Sequence, residues 1–200
     1  MKKIIFGISI ILIMVASAFL YLENSKKNNS YSTPEEALSN VKDPKLEVLE
    51  IIDTKLYDSV GYVFYYSEVG ETPKNYLAAG KIDRNKYGWR FDEIIGVGNI
   101  DKNNAGISSG KDDYVLGLAS KEVDKVKFGN QEAKLITMDK EGMKAFLFHG
   151  VEPDSIGQTD FEYFDKVGNE LPYWSNGCLL KGGLLVVQQS LFLPMRERVS

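Results

Sequence analysis

From Ile4 to Leu22 the chain carries 19 consecutive residues without a charged side chain. As a helix, such a run reaches about 28 Å, close to the hydrocarbon thickness of a bilayer. It is interrupted by Ser9 and Ser17, whose hydroxyls bond back to a helix backbone. A run that is apolar all round has no polar face, so it does not suit a core helix at the start of a soluble domain. Two readings stay open. One is an uncleaved anchor. The other is a secretory signal peptide, with Ile4–Val15 as its apolar region and Ala16-Ser17-Ala18 as the cleavage site. Phe19-Leu20-Tyr21-Leu22 favours the anchor, because a cleaved segment does not need apolar residues beyond its cleavage site. Tyr21 then falls at the interface, where amphipathic aromatics are favoured.

Lys2 and Lys3 precede the run, and Lys26 and Lys27 follow it, so the charge bias across it is small. The short basic start is signal-like. The expectation is a single-pass cell-membrane protein with a cytoplasmic N-terminus and an extracytoplasmic bulk. The alternative is secretion after cleavage near Ala18. No cysteine follows the run for lipidation. The tail "LFLPMRERVS" lacks the threonine-glycine and hydrophobic stop of a wall-sorting signal.

The chain has 24 basic and 28 acidic side chains, a net charge of −4. Setting aside Lys2 and Lys3 leaves 22 against 28, or −6. This argues against nucleic-acid binding, which needs a basic surface, and against a polybasic membrane patch. There is one cysteine, Cys178, and one histidine, His149. An internal disulfide and a Cys/His zinc site are both excluded. Packing alone must stabilise the fold.

After the apolar run (1–22), "ENSKKNNSYS" (23–32) reads as a flexible spacer. Thr33-Pro34-Glu35-Glu36 is a helix start: Thr33 caps, Pro34 suits the first position and Glu36 completes a capping box. The helix is expected over Pro34–Val41, burying Ala37, Leu38 and Val41, with Asp43-Pro44 stopping it. The pattern then turns to strands. Val60–Glu68 is β-branched and aromatic on both faces, as in a central strand. "YLAAGKI" and "WRFDEIIGV" complete a helix-plus-meander module over 33–100. In the latter, Trp89 and Phe91 share one face and Arg90 and Asp92 the other. Residues 101–112 read as a linker. "YVLGLA", "VKF", "AKLITM", "MKAFLF", "FEYF" and "LPYW" then form a small sandwich-like antiparallel module over 113–174. Gly129-Asn130 is a hairpin pair within it. Residues 175–200 read either as an added hairpin at Asn176-Gly177 or as an irregular tail. The fold class is therefore α+β, mostly β: an N-terminal membrane helix, a short helix with an antiparallel meander, then the sandwich-like module.

The N-terminal anchor, the "TPEEAL" helix, the aromatic strand leading to "GWRF", and "VDKVKFGNQEAKLI" and "YFDKVGNEL" together resemble uncharacterised membrane-anchored extracytoplasmic proteins of bacilli and related Gram-positive bacteria. The resemblance covers roughly residues 31–174. It implies an envelope location and supplies no catalytic residues.

Chemical motifs are sparse. "DKNNAGISSGKDD" (101–113) places Asp101, Asn103, Gly106 and Asp112 at calcium-loop positions, but position five is Ala105 and position twelve lacks the longer glutamate. A connecting loop is the plainer reading. "DKEG" and "DKVG" read as turns. His149 has no visible nucleophile partner other than Cys178, which lacks any surrounding signature. Acids are plentiful, but spacing nominates no glycosidase pair. Tyr62, Tyr66, Tyr76 and Trp89 are candidates to line a groove for a sugar or peptide, although such residues more often form a core. No catalytic residue, metal ligand or cofactor is expected. The sequence reads as a non-enzymatic protein that binds or positions a partner at the cell envelope, an envelope protein or a wall polymer. The alternatives are an enzyme of wall or lipid-precursor modification with a carboxylate site, and a calcium-dependent binding module.

Overall fold

The computed structural model of the chain describes residues 2–42, 47–69, 72–101, 105–111, 113–139, 142–151 and 161–171, with side chains from Ile11 onward and excluding 107–109. Helices α1 (Lys2–Asn28) and α2 (Pro34–Ser39) come first. The strands follow: β1 (Glu50–Leu56), β2 (Val60–Val69), β3 (Thr72–Asn85), β4 (Gly88–Asn99), β5 (Gly106–Lys111), β6 (Tyr114–Ser120), β7 (Lys125–Phe128), β8 (Gln131–Glu132), β9 (Lys134–Thr137), β10 (Met143–His149), β11 (Phe161–Phe164) and β12 (Glu170–Leu171). They form three sheets, ordered β1-β2-β3-β4 (sheet A), β5-β6-β10-β9 (sheet B) and β12-β11-β7-β8 (sheet C). Every pairing is antiparallel. The protein is mostly antiparallel β with a short helix, as its sequence reads.

The layers stack in the order α2, sheet A, sheet B, sheet C, and each junction is one apolar cluster. Ala37 and Leu38 of α2 pack on Val63, Tyr65, Ala78 and Ile82 of sheet A. The opposite face of sheet A presents Tyr62, Phe64, Leu77 and Ile95 to Tyr114, Leu116, Leu118 and Leu147 of sheet B. Sheet B then turns Val115, Ala119, Phe146 and Phe148 toward Val126, Phe161 and Tyr163 of sheet C. Strands β2, β6 and β10 are apolar on both faces because they lie in layers covered on both sides.

The cap at α2 forms as its sequence predicts. Glu36 N–H donates to Thr33 Oγ1 at 3.1 Å, and Ser32 N–H donates to the Glu36 carboxylate at 3.0 Å. The helix ends at Ser39 rather than Val41. The Asn40 side chain donates to the Glu36 carbonyl at 2.9 Å, which closes the last turn early. Asp43-Pro44 lies outside the described residues.

Three segments differ from their sequence reading. The spacer over 23–32 is largely helix: α1 continues to Asn28, and the side chains of Asn29 and Ser30 bond back to the carbonyls of Ser25 and Lys26. Residues 23–28 contain no Gly or Pro, and Lys26 and Lys27 suit the negative end of a helix. The linker over 101–112 contains a strand, β5, which pairs with β6. Polar, small residues suit this edge position, and β6 needs a partner on that side. Within 113–171 the described strands divide between two sheets, B and C. After the Gly129-Asn130 turn, β7 pairs only briefly with β8, and the chain then crosses from sheet C to β9 in sheet B.

Among the described residues no helix is long and apolar enough to cross a membrane. Side chains of α1 are described only from Ile11, inside the apolar run. From Ile11 to Leu22 the large apolar ones are 58 to 75 % exposed, on every side of the helix.

Candidate functional site

The four aromatic residues proposed from the sequence do not share one groove. Tyr62 and Tyr66 sit two alternations apart on β2 and are buried between sheets A and B. Tyr76 and Trp89 lie on the opposite face of sheet A, with α2. Arg84 stands over the Trp89 ring at 5.4 Å. Cys178 and the tail 175–200 lie outside the described residues.

The polar cluster that does form lies at the seam of sheets A and B, around His149. Backbone register builds it. His149 ends β10 opposite Tyr114, which opens β6. Just before Tyr114, the Asp113 carbonyl accepts from Gly150 N–H at 2.6 Å, which holds the aspartate beside the histidine. The Asp113 carboxylate is 3.7 Å from His149 Nδ1. From sheet A, the Tyr62 hydroxyl reaches the same nitrogen at 3.1 Å. Tyr57, in the β1–β2 turn, lies against the imidazole with ring centroids 4.2 Å apart. Lys134 of β9 stands 4.0 Å from the Tyr57 ring and donates to the Leu56 carbonyl.

Burial, and then the negative charge of Asp113, push the Tyr62 phenol far above its ordinary value. Burial alone raises Tyr57 to about 12. Tyr62 therefore stays protonated. Which of the two donates in the Tyr62–His149 bond follows the tautomer of the imidazole. Asp113 Oδ1 is buried and has no hydrogen-bond partner among the described residues, so it keeps acceptor capacity.

An acidic set flanks this cluster. A β-bulge in β4 leaves Asp92 as the extra residue between the pairs Lys81–Glu93 and Ile82–Phe91. Before it, Trp89 and Phe91 face α2; after it, Ile95 and Val97 face sheet B. The bulge thus brings both Asp92 and Glu93 to the sheet B side. Asp92 pairs with Lys81 at 3.3 Å, and Glu93 with Lys111 at 2.9 Å. Partial desolvation, then Asp92 and Asp113, raise Asp83 above the usual carboxylate range. No grouping of three or more metal-ligating side chains occurs among the described residues.

The stretch 101–113 is only partly described, over 101, 105–111 and 113. Its second half is the extended strand β5, in register with β6, and a ladder cannot also curl round an ion. "DKVG" is the turn its sequence predicts: Asp165 accepts from the N–H groups of Val167 and Asn169, and Gly168 takes φ 92°. The "DKEG" turn lies partly outside the described residues.

Sequence reasoning considered His149 only with Cys178 and missed Tyr62 and Asp113 as its partners. Positions 62 and 149 lie on strands of two different sheets and 113 in the turn before β6, and no local spacing announces their meeting. No known family model matches the chain, and neither the curated proteins nor the solved structures contain a significant match.

Proposed function

We propose that the protein is a single-pass membrane-anchored extracytoplasmic protein, non-enzymatic, that binds a partner at the cell envelope through the His149 seam. The carrying observation is the pair of opposites in one chain: a fully packed β stack, and a helix that leaves large apolar side chains uncovered all round. Such a helix is stable only in an apolar medium. The run from Ile4 to Leu22 supplies the length, and the resemblance to envelope proteins of bacilli points the same way.

The seam suits binding better than catalysis. His149 Nδ1 is engaged by the Tyr62 hydroxyl at 3.1 Å and faces the Asp113 carboxylate at 3.7 Å. What the seam presents is the partly buried imidazole, the Asp113 carboxylate beside it and the partly exposed Tyr57 ring. That is a recognition set for a polar partner with a flat apolar face. Arg84 N–H donates to the Ser59 carbonyl, so the β1–β2 turn carrying Tyr57 lies beside the β3–β4 turn. The seam therefore opens at the end of sheet A to which α1 is tied.

The test has two parts. Alkaline extraction of cell membranes should leave the chain in the membrane pellet. A photo-crosslinking residue at position 57 should then capture one envelope component, and His149→Ala with Asp113→Ala should abolish the capture. Release by alkali, or capture unaffected by both substitutions, defeats this reading.

A second reading draws on Asp83, whose raised carboxyl stands near two further acids. Neighbouring carboxyl groups are the chemistry a glycosidase uses. Turnover of wall glycan by the purified protein, lost in Asp83→Asn, would establish it.

A further inference from the structure

We infer that the β3–β4 turn is a docking surface for anionic lipid headgroups, which seats the β domain directly on the bilayer. The inference rests on the membrane-anchor reading of α1. Glu23 is the first residue past the apolar run, about 1.5 Å further along the helix axis than Leu22. Its carboxylate binds Lys86 Nζ at 2.5 Å and accepts from the Tyr87 hydroxyl at 2.8 Å. If Leu22 marks the edge of the hydrocarbon, Lys86 and Tyr87 stand at headgroup level.

Further contacts fix this placement. Asn85 Nδ2 donates to Ser30 Oγ at 2.9 Å. Tyr31 and Trp89 exchange two backbone hydrogen bonds, both 2.8 Å. Between them, Gly88 has φ 133°, and a Cβ there would collide with the Tyr31 carbonyl. The turn is thus clamped to the helix end and does not hang on a tether.

The chemistry matches the location. Lys86 and Lys26 gather round the single carboxylate of Glu23, Lys26 at 3.8 Å, and Lys27 follows Lys26 in the last turn of α1. Lys26 and Lys86 are well exposed, at 50 % and 66 % of their side chains. Lys86 also stands 4.9 Å from the Tyr87 ring. Lysines beside an amphipathic tyrosine are the residues that settle among phosphates. The net charge of the chain argues against a basic membrane patch, but the fold concentrates these lysines from positions 26, 27 and 86 at one end.

The full chain, carrying Cys178→Ser and a nitroxide at Tyr87→Cys, is reconstituted into phosphatidylcholine vesicles with and without phosphatidylglycerol. A second nitroxide chain, at Val167→Cys on the remote and exposed β11–β12 turn, is the reference. Flotation reports the anchor, and collision with a water-soluble relaxation agent reports the turn. The expected result is flotation in both lipids, with position 87 shielded relative to 167 and more so with phosphatidylglycerol. Lys26→Gln, Lys27→Gln and Lys86→Gln should each reduce the docked-to-undocked ratio about fivefold, from ~1 kcal/mol per basic side chain at an anionic surface. A chain that floats while position 87 is as accessible as 167 in both lipids overturns the docking surface and leaves the anchor standing. A chain that does not float overturns both.

Discussion

The Tyr62 hydroxyl and His149 Nδ1 are hydrogen-bonded at 3.1 Å, joining the second strand of sheet A to the last residue of β10 in sheet B. The bond closes the polar end of an otherwise apolar interface. Tyr62→Phe keeps the ring contacts with Tyr57 and Tyr114 but leaves His149 Nδ1 without its hydrogen-bond partner. The expected loss is about 1–2 kcal/mol, the range for an orphaned, largely buried polar group, measured by urea unfolding at neutral pH. A double mutant with His149→Ala should lose much less than the sum of the two single losses. Full additivity would show that the two side chains do not interact.

Gly117 is the tightest point of sheet B. It pairs with Phe146 on one side and Ile107 on the other, and a Cβ there would fall on the Phe146 ring and the Gly106 carbonyl. One obstacle is backbone, so a rotamer change cannot relieve both. Gly117→Ala should cost about 3 kcal/mol or more. A melting temperature close to that of the unaltered protein would show that β5 does not approach β6 this closely.

These contacts also show what the sequence can and cannot disclose. Runs such as Val60–Tyr66 and Val115–Ala119 announce strands buried on both faces, and Thr33-Pro34-Glu35-Glu36 announces its helix. Local chemistry decides both. The phase of β4 is different: Trp89 and Phe91 face α2, but the bulge at Asp92 sends Ile95 and Val97 to the other side. Alternation read across "WRFDEIIGV" does not reveal that reversal, because nothing local demands an extra residue there. The pairing of β5 is equally silent, since small polar residues acquire a strand conformation only from the open edge of β6. The His149 cluster is least legible of all, because it depends on the stacking order of two sheets.

The short helix α2 owes its place to two separable effects. Thr33 satisfies a free N–H of the first turn, and Leu38 is fully buried against sheet A above Gly80. Thr33→Ala should cost about 1 kcal/mol, and Leu38→Ala about 2–5 kcal/mol, because the rigid sheet below cannot collapse into the space. Chemical denaturation of both variants checks the order. Equal losses would mean that α2 contributes little beyond its cap.

Calcium is expected to have no effect on thermal stability. A ligand that binds the native state must raise the melting temperature in proportion to its occupancy. The stretch 106–111 that such a loop would need is committed to the β5–β6 ladder. Melting curves with excess calcium and with chelator should superimpose. A calcium-dependent rise would require β5 to leave the sheet, and amide exchange at Val115 and Gly117 would detect that.

Asp83 gives the acid side of the stability profile an unusual sign. Its folded value lies above the ordinary 3.8, mainly through desolvation and then through Asp92 and Asp113. The folded state therefore holds this proton more tightly than the unfolded chain does. That term is unfavourable above the folded value, where the group is charged in both states, and vanishes below 3.8. Asp83→Asn removes the charge while keeping the shape. It should raise the melting temperature modestly at pH 7, because the side chain remains partly solvated, and the gain should disappear as pH falls toward 3.8. The paired measurement is the melting temperature of both proteins across that interval. A variant that is less stable than its parent at pH 7 would show that Lys81 and Arg90, which favour the charged form, outweigh the neighbouring acids.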